Sequence, residues 1–431
     1  MKVPSEWRVY ILGAALCVAV LMCSRNFGDR GGPPFVAWLT LASVAYLLAA
    51  WQFFSTREFP RRVVFIGLAL AAVWQLAFLR LPPGPDDDIH RYVWDGRLQR
   101  LGFNPYIVIP SDPAVTSFHT AETRNLNNPD LPSPYPPAAQ LFFRGVTAIH
   151  ESVFALKLAF VICDFAIAIV VLDLLRTSGG GAHLVLAYAW NPLLAIEVAG
   201  SGHVDILGAL LLTISVAALA RKWRVMAALM LGLAVAVKFL PIVLLPLYWK
   251  RVRLRDVMLA AAAVALLCMP FLHHGRIPVG SLGTYVQTFR FNGPVFAVLE
   301  RVASPRLLAG LAVLVGIATS IWLRRESNQR SPDLFAWPMA ASLICAPVVF
   351  PWYLLWLLPF LTSASTLLIV FWTMTIIPTY VMWHLSRVRG AWGSLPGWIM
   401  EVEYGGLALA AAVIALRRIT RTVRLRSSAY R

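Results

Sequence analysis

Three consecutive aspartates, Asp86-Asp87-Asp88, head a segment that continues Ile89-His90-Arg91-Tyr92-Val93-Trp94-Asp95-Gly96-Arg97. Read as a helix, Asp88, Arg91, Tyr92 and Asp95 fall at i, i+3, i+4 and i+7, so carboxylates, a guanidinium and a phenol share one face. Such a face can take a proton from a hydroxyl and hold an anion beside it. Acidic residues at a helix start are also favoured by about 0.3–1 kcal/mol each, and capping accounts for Asp86. It accounts poorly for three in a row, because adjacent carboxylates repel. Asp87 and Asp88 are therefore the leading candidates for chemistry.

Other ionisable groups interrupt apolar runs, where a charge at a helix centre costs at least about 2.5–3.5 kcal/mol and points to function by default. Asp164 is the deepest, and Lys157, seven residues earlier on the same helical face, makes a structural ion pair an equal reading. Glu197, in Trp190-Asn191-Pro192-Leu193-Leu194-Ala195-Ile196-Glu197, precedes Gly200-Ser201-Gly202-His203-Val204-Asp205, so two acids and a histidine meet at one turn. No tight His/Asp/Glu ligand set is evident there, and no metal site is assigned. Lys238, in Val237-Lys238-Phe239-Leu240-Pro241, needs an anion, either a lipid phosphate or an internal carboxylate. Downstream, His273, His274, Arg276 and Arg290 are candidate phosphate contacts, with surface solvation an equal reading for His273, His274 and Arg276.

The elements that must position these residues are membrane helices. The 431-residue chain is 59% hydrophobic and only 14% charged, and its apolar runs are mostly long enough to span a bilayer. The reading is an all-α polytopic membrane protein with about 12–14 transmembrane or half-spanning helices, in a single domain over 1–431. The net charge of +17 does not call for nucleic acid, because the basic residues cluster as the positive-inside rule expects. Arg57, Arg61 and Arg62, then Arg221, Lys222 and Arg224, then Lys250, Arg251, Arg253 and Arg255, then Arg324 and Arg325, and the tail from Arg417, mark the cytoplasm. The loops at 24–34, 81–152, 273–305 and 383–401 then face the other side. The run 225–249 is flanked by basic loops at both ends and must enter and leave one leaflet, as a hairpin broken near Lys238 and Pro241. The 81–152 loop is too long and too aromatic to be a passive connector, and amphipathic helices at the membrane surface are expected in it. The first helix reads as uncleaved, since no small-residue cleavage pattern follows it. All five cysteines lie in or beside apolar runs without metal spacing, so no disulfide is expected.

The ordered set of motifs resembles the GT-C superfamily of membrane glycosyltransferases, most closely the bacterial mannosyltransferases that use polyprenyl-phosphate mannose. Its carriers are Asp87-Asp88-Ile89 with 91–97, then Gly102-Phe103-Asn104-Pro105-Tyr106, Tyr135-Pro136-Pro137 with Gln140, Trp190-Asn191-Pro192 to Glu197, Gly202-His203-Val204-Asp205, Lys238 with Pro241, and Pro351-Trp352-Tyr353. The resemblance implies that an acidic residue in the 81–152 loop is the catalytic base, which maps to Asp88 first and Asp87 second, and that 273–305 forms a second extracytoplasmic loop. It implies a polyprenyl-phosphate sugar donor carrying mannose or another hexose, with Lys238, Arg91, Arg290 and His203 as expected phosphate contacts. Tyr92, Trp94, Asp95, Asn104, Tyr106, Tyr135, Asp164, Glu197 and Asp205 are expected to bind substrate. The acceptor is a glycolipid, polysaccharide or protein, and transfer inverts the anomeric centre. No cofactor is required, although a divalent cation stays open. The expected location is the bacterial inner membrane, among membrane lipids, with the site on the extracytoplasmic side. A lipid-linked sugar transporter or flippase is the alternative; it would favour internal repeats, and the single polar loop is asymmetric.

Overall fold

The computed structural model describes residues 5–84, 87–124, 126–275, 277–326 and 331–429, and side chains as far as Leu416. Asp86, Arg276 and the side chains of the C-terminal basic tail lie outside the described residues. Among those described, the chain is helical, apart from an isolated bridge between Phe291 and Val348. Helix α1 (Ser5–Arg25) packs on both α2 (Pro33–Ser55) and α3 (Arg61–Leu79), and α3 feeds the long loop. That loop carries α4 (Ile89–Arg100) and α5 (Pro137–Ile149), which lie against each other, before α6 (Val153–Ser178) returns across the membrane. Helix α6 has the ends its sequence dictates. The Ser152 hydroxyl accepts the Ala155 N–H at 3.1 Å, and Gly179 closes the helix at φ +78°.

Eight described helices are long and apolar enough to cross a membrane, or nine when one bent pair counts as a span. The remaining apolar runs are shorter pieces, and prolines explain most of the shortening. The run 183–199 bends by 64° between Ala182–Ala189 and Leu194–Gly200, and the second half is wound as a π-helix. Asn191 and Pro192 sit at the break, where the Asn191 side-chain amide oxygen Oδ1 accepts the Leu193 N–H at 3.0 Å. After α7 (Val185–Ala189) and this bent piece come α8 (Asp205–Ala220) and α9 (Arg224–Val235). The runs 333–349 and 352–362 are likewise broken, with 3₁₀ turns at Pro332–Phe335, Pro351–Trp356 and Leu358–Phe360.

The expected hairpin is present. After α9 the chain turns at 236–239, then descends through the 3₁₀ turn Leu240–Leu244 and the short helix Leu245–Tyr248. The Ser215 hydroxyl near the end of α8 touches both limbs, donating to the Ala227 carbonyl at 2.5 Å and lying 2.8 Å from the Tyr248 hydroxyl. Lys238, at the tip, instead reaches Asp205 at the start of α8. Ten residues of helix separate Ser215 from Asp205, about 15 Å at 1.5 Å per residue, so the tip stands well above the two basic ends. The loop's aromatic residues pack on protein: Tyr92 stacks on Phe143 at 4.4 Å, Phe142 stacks on Phe160 of α6 at 5.6 Å, and Trp94 stacks on His119 at 3.9 Å.

Candidate active site

Four carboxylates converge where the start of α4, the bent helix, the start of α8 and the hairpin tip meet: Asp87, Asp88, Glu197 and Asp205. Their partners differ. Asp87 is buried, with both oxygens held by Arg30, Oδ1 from Nη2 at 2.5 Å and Oδ2 from Nη1 at 3.0 Å; the Gly84 N–H adds a third bond at 2.7 Å. Arg30 also donates to the Ser201 hydroxyl and lies over the rings of Trp383 and Phe27 at 5.2 and 5.3 Å. Burial works against the Arg30 charge, but Asp87 outweighs it and holds the guanidinium above its ordinary range.

Asp205 is equally buried, and its Oδ1 accepts from Lys238 Nζ at 2.7 Å and from the Trp356 indole at 2.7 Å. Lys238 keeps about a quarter of its side chain exposed and sits 3.7 Å above the Tyr353 ring. Of the two anions that Lys238 allows, the structure therefore shows the internal carboxylate. Glu197 accepts the Tyr380 hydroxyl on one oxygen and has the other 3.1 Å from His203 Nε2. Each cation thus has one carboxylate. Asp88 is left with the Asn127 side-chain amide on Oδ1 at 2.7 Å, while its Oδ2 lies 4.0 Å from His203 Nδ1. At 21% exposure it is also the most accessible of the four.

The backbone explains how His203 reaches Asp88. Gly202 has φ +78°, and a Cβ there would come 2.3 Å from Ile89 Cδ1, so only glycine lets this turn close on the first residue of α4. Around Asp88 stand Tyr135, and Tyr285 hydrogen-bonded to Tyr353 at 2.7 Å. Burial, and then the Asp88 charge, push the Tyr92 and Tyr135 phenols well above their ordinary range, so both stay neutral.

Several residues singled out in the sequence lie elsewhere. Arg91 is buried, pairing with Asp95 at 3.0 Å and donating to the carbonyls of Leu131 at 2.8 Å and Asn128 at 3.4 Å. Asp95 also accepts from Gln140 at 2.8 Å and from Ser133. Trp94 is fully buried within the loop's own small core, beside Leu98, Val115 and Leu126. Asn104 braces a turn, donating to the Phe271 carbonyl at 2.9 Å, and Tyr106 donates to the Tyr135 carbonyl at 2.6 Å. Asp164 accepts from Gln75 at 2.6 Å and from Tyr188, while Lys157 donates to the carbonyls of Leu81 at 2.6 Å and Phe78 at 3.1 Å. The ion pair weighed for them does not form, because each finds neutral partners closer by. Arg290 pairs with Glu300 at 2.7 Å and closes the helix Leu282–Thr288 through the carbonyls of Phe289 and Gln287. Arg30, Asn127, Trp356 and Tyr380 carry site contacts that the motif reading passes over. For Arg30 a signal existed, an arginine in a short loop away from the basic clusters, just before Gly31-Gly32-Pro33. Among the described residues no group of three His, Cys, Asp or Glu side chains is placed to hold a metal ion. A cavity of about 190 Å³ at the other end of α6, beside Ser178 and Ser331, is far from these carboxylates.

Its family match places this multi-pass helical membrane protein, with its acidic site at the head of the first large loop, among the glycosyltransferases. More narrowly, the chain belongs to the alpha-(1->6)-mannopyranosyltransferase family, whose N-terminal domain profile matches residues 15–252. It is 25% identical over 363 residues to alpha-(1->6)-mannopyranosyltransferase A of Mycobacterium tuberculosis, covering 74% of this chain and 69% of that protein. Among solved structures it is similar to ArnT from Cupriavidus metallidurans bound to undecaprenyl phosphate, with a TM-score of 0.44 and 16% identity. That likeness covers 82% of this chain, which spans 63% of the length of the ArnT chain.

Proposed function

We propose that the protein transfers a mannosyl residue from a polyprenyl-phosphate donor to a hydroxyl of a mannose-containing acceptor, with Asp88 as general base. The observation that carries this reading is the pairing pattern: Asp87 and Asp205 are each held by a full-time cation, and Asp88 keeps an accessible oxygen. Its Oδ2 takes the proton of the acceptor hydroxyl as that oxygen attacks the anomeric carbon. The bond to the phosphate oxygen breaks, and its electron pair leaves with the polyprenyl phosphate. No general acid is needed, because the polyprenyl phosphate departs as a stable anion whose charge a neighbouring cation can hold.

Lys238 is the cation best placed for that task, being partly exposed at the hairpin tip and free to exchange Asp205 for a phosphate oxygen. Asp205 then keeps the Trp356 N–H. The name of the mycobacterial relative supports an α-(1→6) linkage. A single displacement inverts the anomeric centre, so an α-linked product requires a β-linked donor. The site is assigned to the extracytoplasmic face of a bacterial cytoplasmic membrane, because the basic loops gather at the opposite ends of the helices. Purified protein in lipid, given synthetic polyprenyl-phosphate mannose and a short α-mannoside, tests the reading. Transfer is expected with the native chain, and Asp88→Asn should lose it; an Asp88→Asn protein of native activity removes the base assigned here.

A further inference from the structure

His203 occupies a position that a phosphate contact does not explain. Its ring is 1% exposed, and the nearest charged groups are carboxylates: Glu197 Oε2 at 3.1 Å from Nε2 and Asp88 Oδ2 at 4.0 Å from Nδ1. An incoming phosphate would meet those two anions first. The imidazole lies flat on Trp352, with centroids 3.9 Å apart and planes 9° from parallel. Trp352 stacks in turn on Phe350 at 4.3 Å, and Phe350 on Phe291 at 4.3 Å. The ring is therefore fixed in place by a continuous aromatic pile, and neither nitrogen has a hydrogen bond of good geometry at rest. A buried imidazole between two carboxylates, clamped on its face, is built to carry a charge at a fixed distance from one of them.

From this geometry we infer that His203 works as a protonated positioning residue, a buried cation shared by Glu197 and Asp88 that keeps Asp88 ionised and aimed while the acceptor hydroxyl is bound. The inference rests on the assignment of Asp88 as base. The direct contacts support it: of the four carboxylates only Asp87 and Asp205 are paired with an arginine or lysine, Arg30 and Lys238, and a protonated His203 supplies the cation that Glu197 and Asp88 otherwise lack. The titratable and charged groups around the imidazole come from every packed element. They are Asp88 and Asp87 from the head of α4, Glu197 from the bent helix with Tyr380 behind it, Arg30 behind Asp87, and Lys157, whose stem lies near Gly202. Burial pulls the imidazole down, and Glu197 with the two aspartates more than restores it, leaving it above its ordinary value. In the reaction itself the acceptor proton still goes to Asp88 Oδ2; His203 forms and breaks no bond.

The pH profile separates this role from simple packing. In the native protein in lipid, with synthetic polyprenyl-phosphate mannose and a short α-mannoside, kcat is expected to fall as pH rises above the ordinary histidine range. In His203→Gln that alkaline fall should disappear, the acid limb should move up by about one pH unit as expected for loss of a neighbouring charge, and kcat should drop while donor KM stays within about twofold. Glu197→Gln, which leaves His203 in place but removes its second anion, should move the alkaline fall to lower pH. It carries the test if the first variant does not fold. A native kcat that is flat from pH 6 to 9.5 overturns the inference, as does a His203→Gln profile of native shape lowered uniformly. A change confined to donor KM overturns it in favour of phosphate binding. An active Asp88→Asn protein overturns the base assignment, whereas a dead Asp88→Asn beside a His203→Gln protein that keeps the native alkaline fall sinks this inference alone.

Discussion

Adjacent aspartates should fail in opposite ways. Asp87 and Asp88 neighbour each other in sequence, but one is bound through both oxygens to a buried arginine and the other, partly exposed, meets the Asn127 amide, the Tyr135 phenol and, at 4.0 Å, His203. Replacing Asp87 by asparagine keeps the volume and leaves the Arg30 charge in a buried place without its anion. Breaking a buried pair in this way costs about 3–5 kcal/mol. Arg30 retains the Ser201 hydroxyl and the faces of Trp383 and Phe27, so the low end, about 3 kcal/mol, is expected. Asp88→Asn is different. Its carboxamide oxygen can still accept from Asn127, and the side chain is partly solvated, so the stability cost should stay below about 1 kcal/mol. What it loses is the proton acceptor. A positioned base contributes about 10²–10⁴ in rate, which is about 2.7–5.5 kcal/mol of barrier at 1.36 kcal/mol per tenfold. The assay pairs transferase turnover with thermal unfolding of detergent-purified protein for both variants. Asp87→Asn should unfold several degrees early and keep measurable turnover per folded molecule; Asp88→Asn should unfold like the native chain and turn over at least a hundredfold more slowly. The opposite pattern, a stable but dead Asp87→Asn beside an active Asp88→Asn, would refute the reasoning and move the base one residue upstream.

Lys238→Gln is expected to raise donor KM by about tenfold or more with a smaller change in kcat, read from donor titrations at saturating acceptor; an unchanged KM shows that the phosphate is held elsewhere. Arg91→Ala strips two carbonyls and the Asp95 carboxylate of their donor, so limited proteolysis should cut the 108–133 segment faster while donor KM stays put. For His203 the sign follows from its raised value, which burial opposes and Glu197 chiefly supports. Its contribution to stability is full below the unfolded value of about 6.5 and is lost as pH rises through the folded value. The gap in unfolding temperature between native protein and His203→Gln should thus be wider at pH 6 than at pH 9, and a gap that widens with pH contradicts the protonated state.

The class of protein was legible because its signals are local. Hydropathy names the helices long enough to span, and an apolar run with basic residues at both ends has to turn back, which the two limbs meeting at Ser215 bear out. The pairing of charges was not legible, since it is set by contacts between distant segments: Arg30 with Asp87 across 57 residues, Lys238 with Asp205 across 33, Asn127 with Asp88 across 39. Helical spacing tells which side chains share a face, and it does so correctly for Asp88, Arg91, Tyr92 and Asp95. It does not tell which part of that face meets protein and which meets an open cleft. Here α4 lies with Arg91 and Asp95 turned into the rest of the loop, bound to Leu131, Ser133 and Gln140, so that its first residue, the cap before it and Tyr92 are what it presents to the shared site.

A similar division explains why Asp164 attracts notice in the sequence and stands apart in the structure. A carboxyl group at membrane depth demands a partner, and function is one way of supplying it; Gln75 and Tyr188 are another. The demand is local, whereas the supply comes from helices α3 and α7. The residues that sequence and structure both select are those at which the demand stays incompletely met inside the protein: Asp88, the one partly exposed carboxylate of the four, and Lys238, partly exposed over a tyrosine ring. Substrates complete such groups. On the reading proposed above, Asp88 and Lys238, with the Tyr135, Tyr285 and Tyr353 phenols beside them, are accordingly where an acceptor hydroxyl and a lipid phosphate have most to gain by binding.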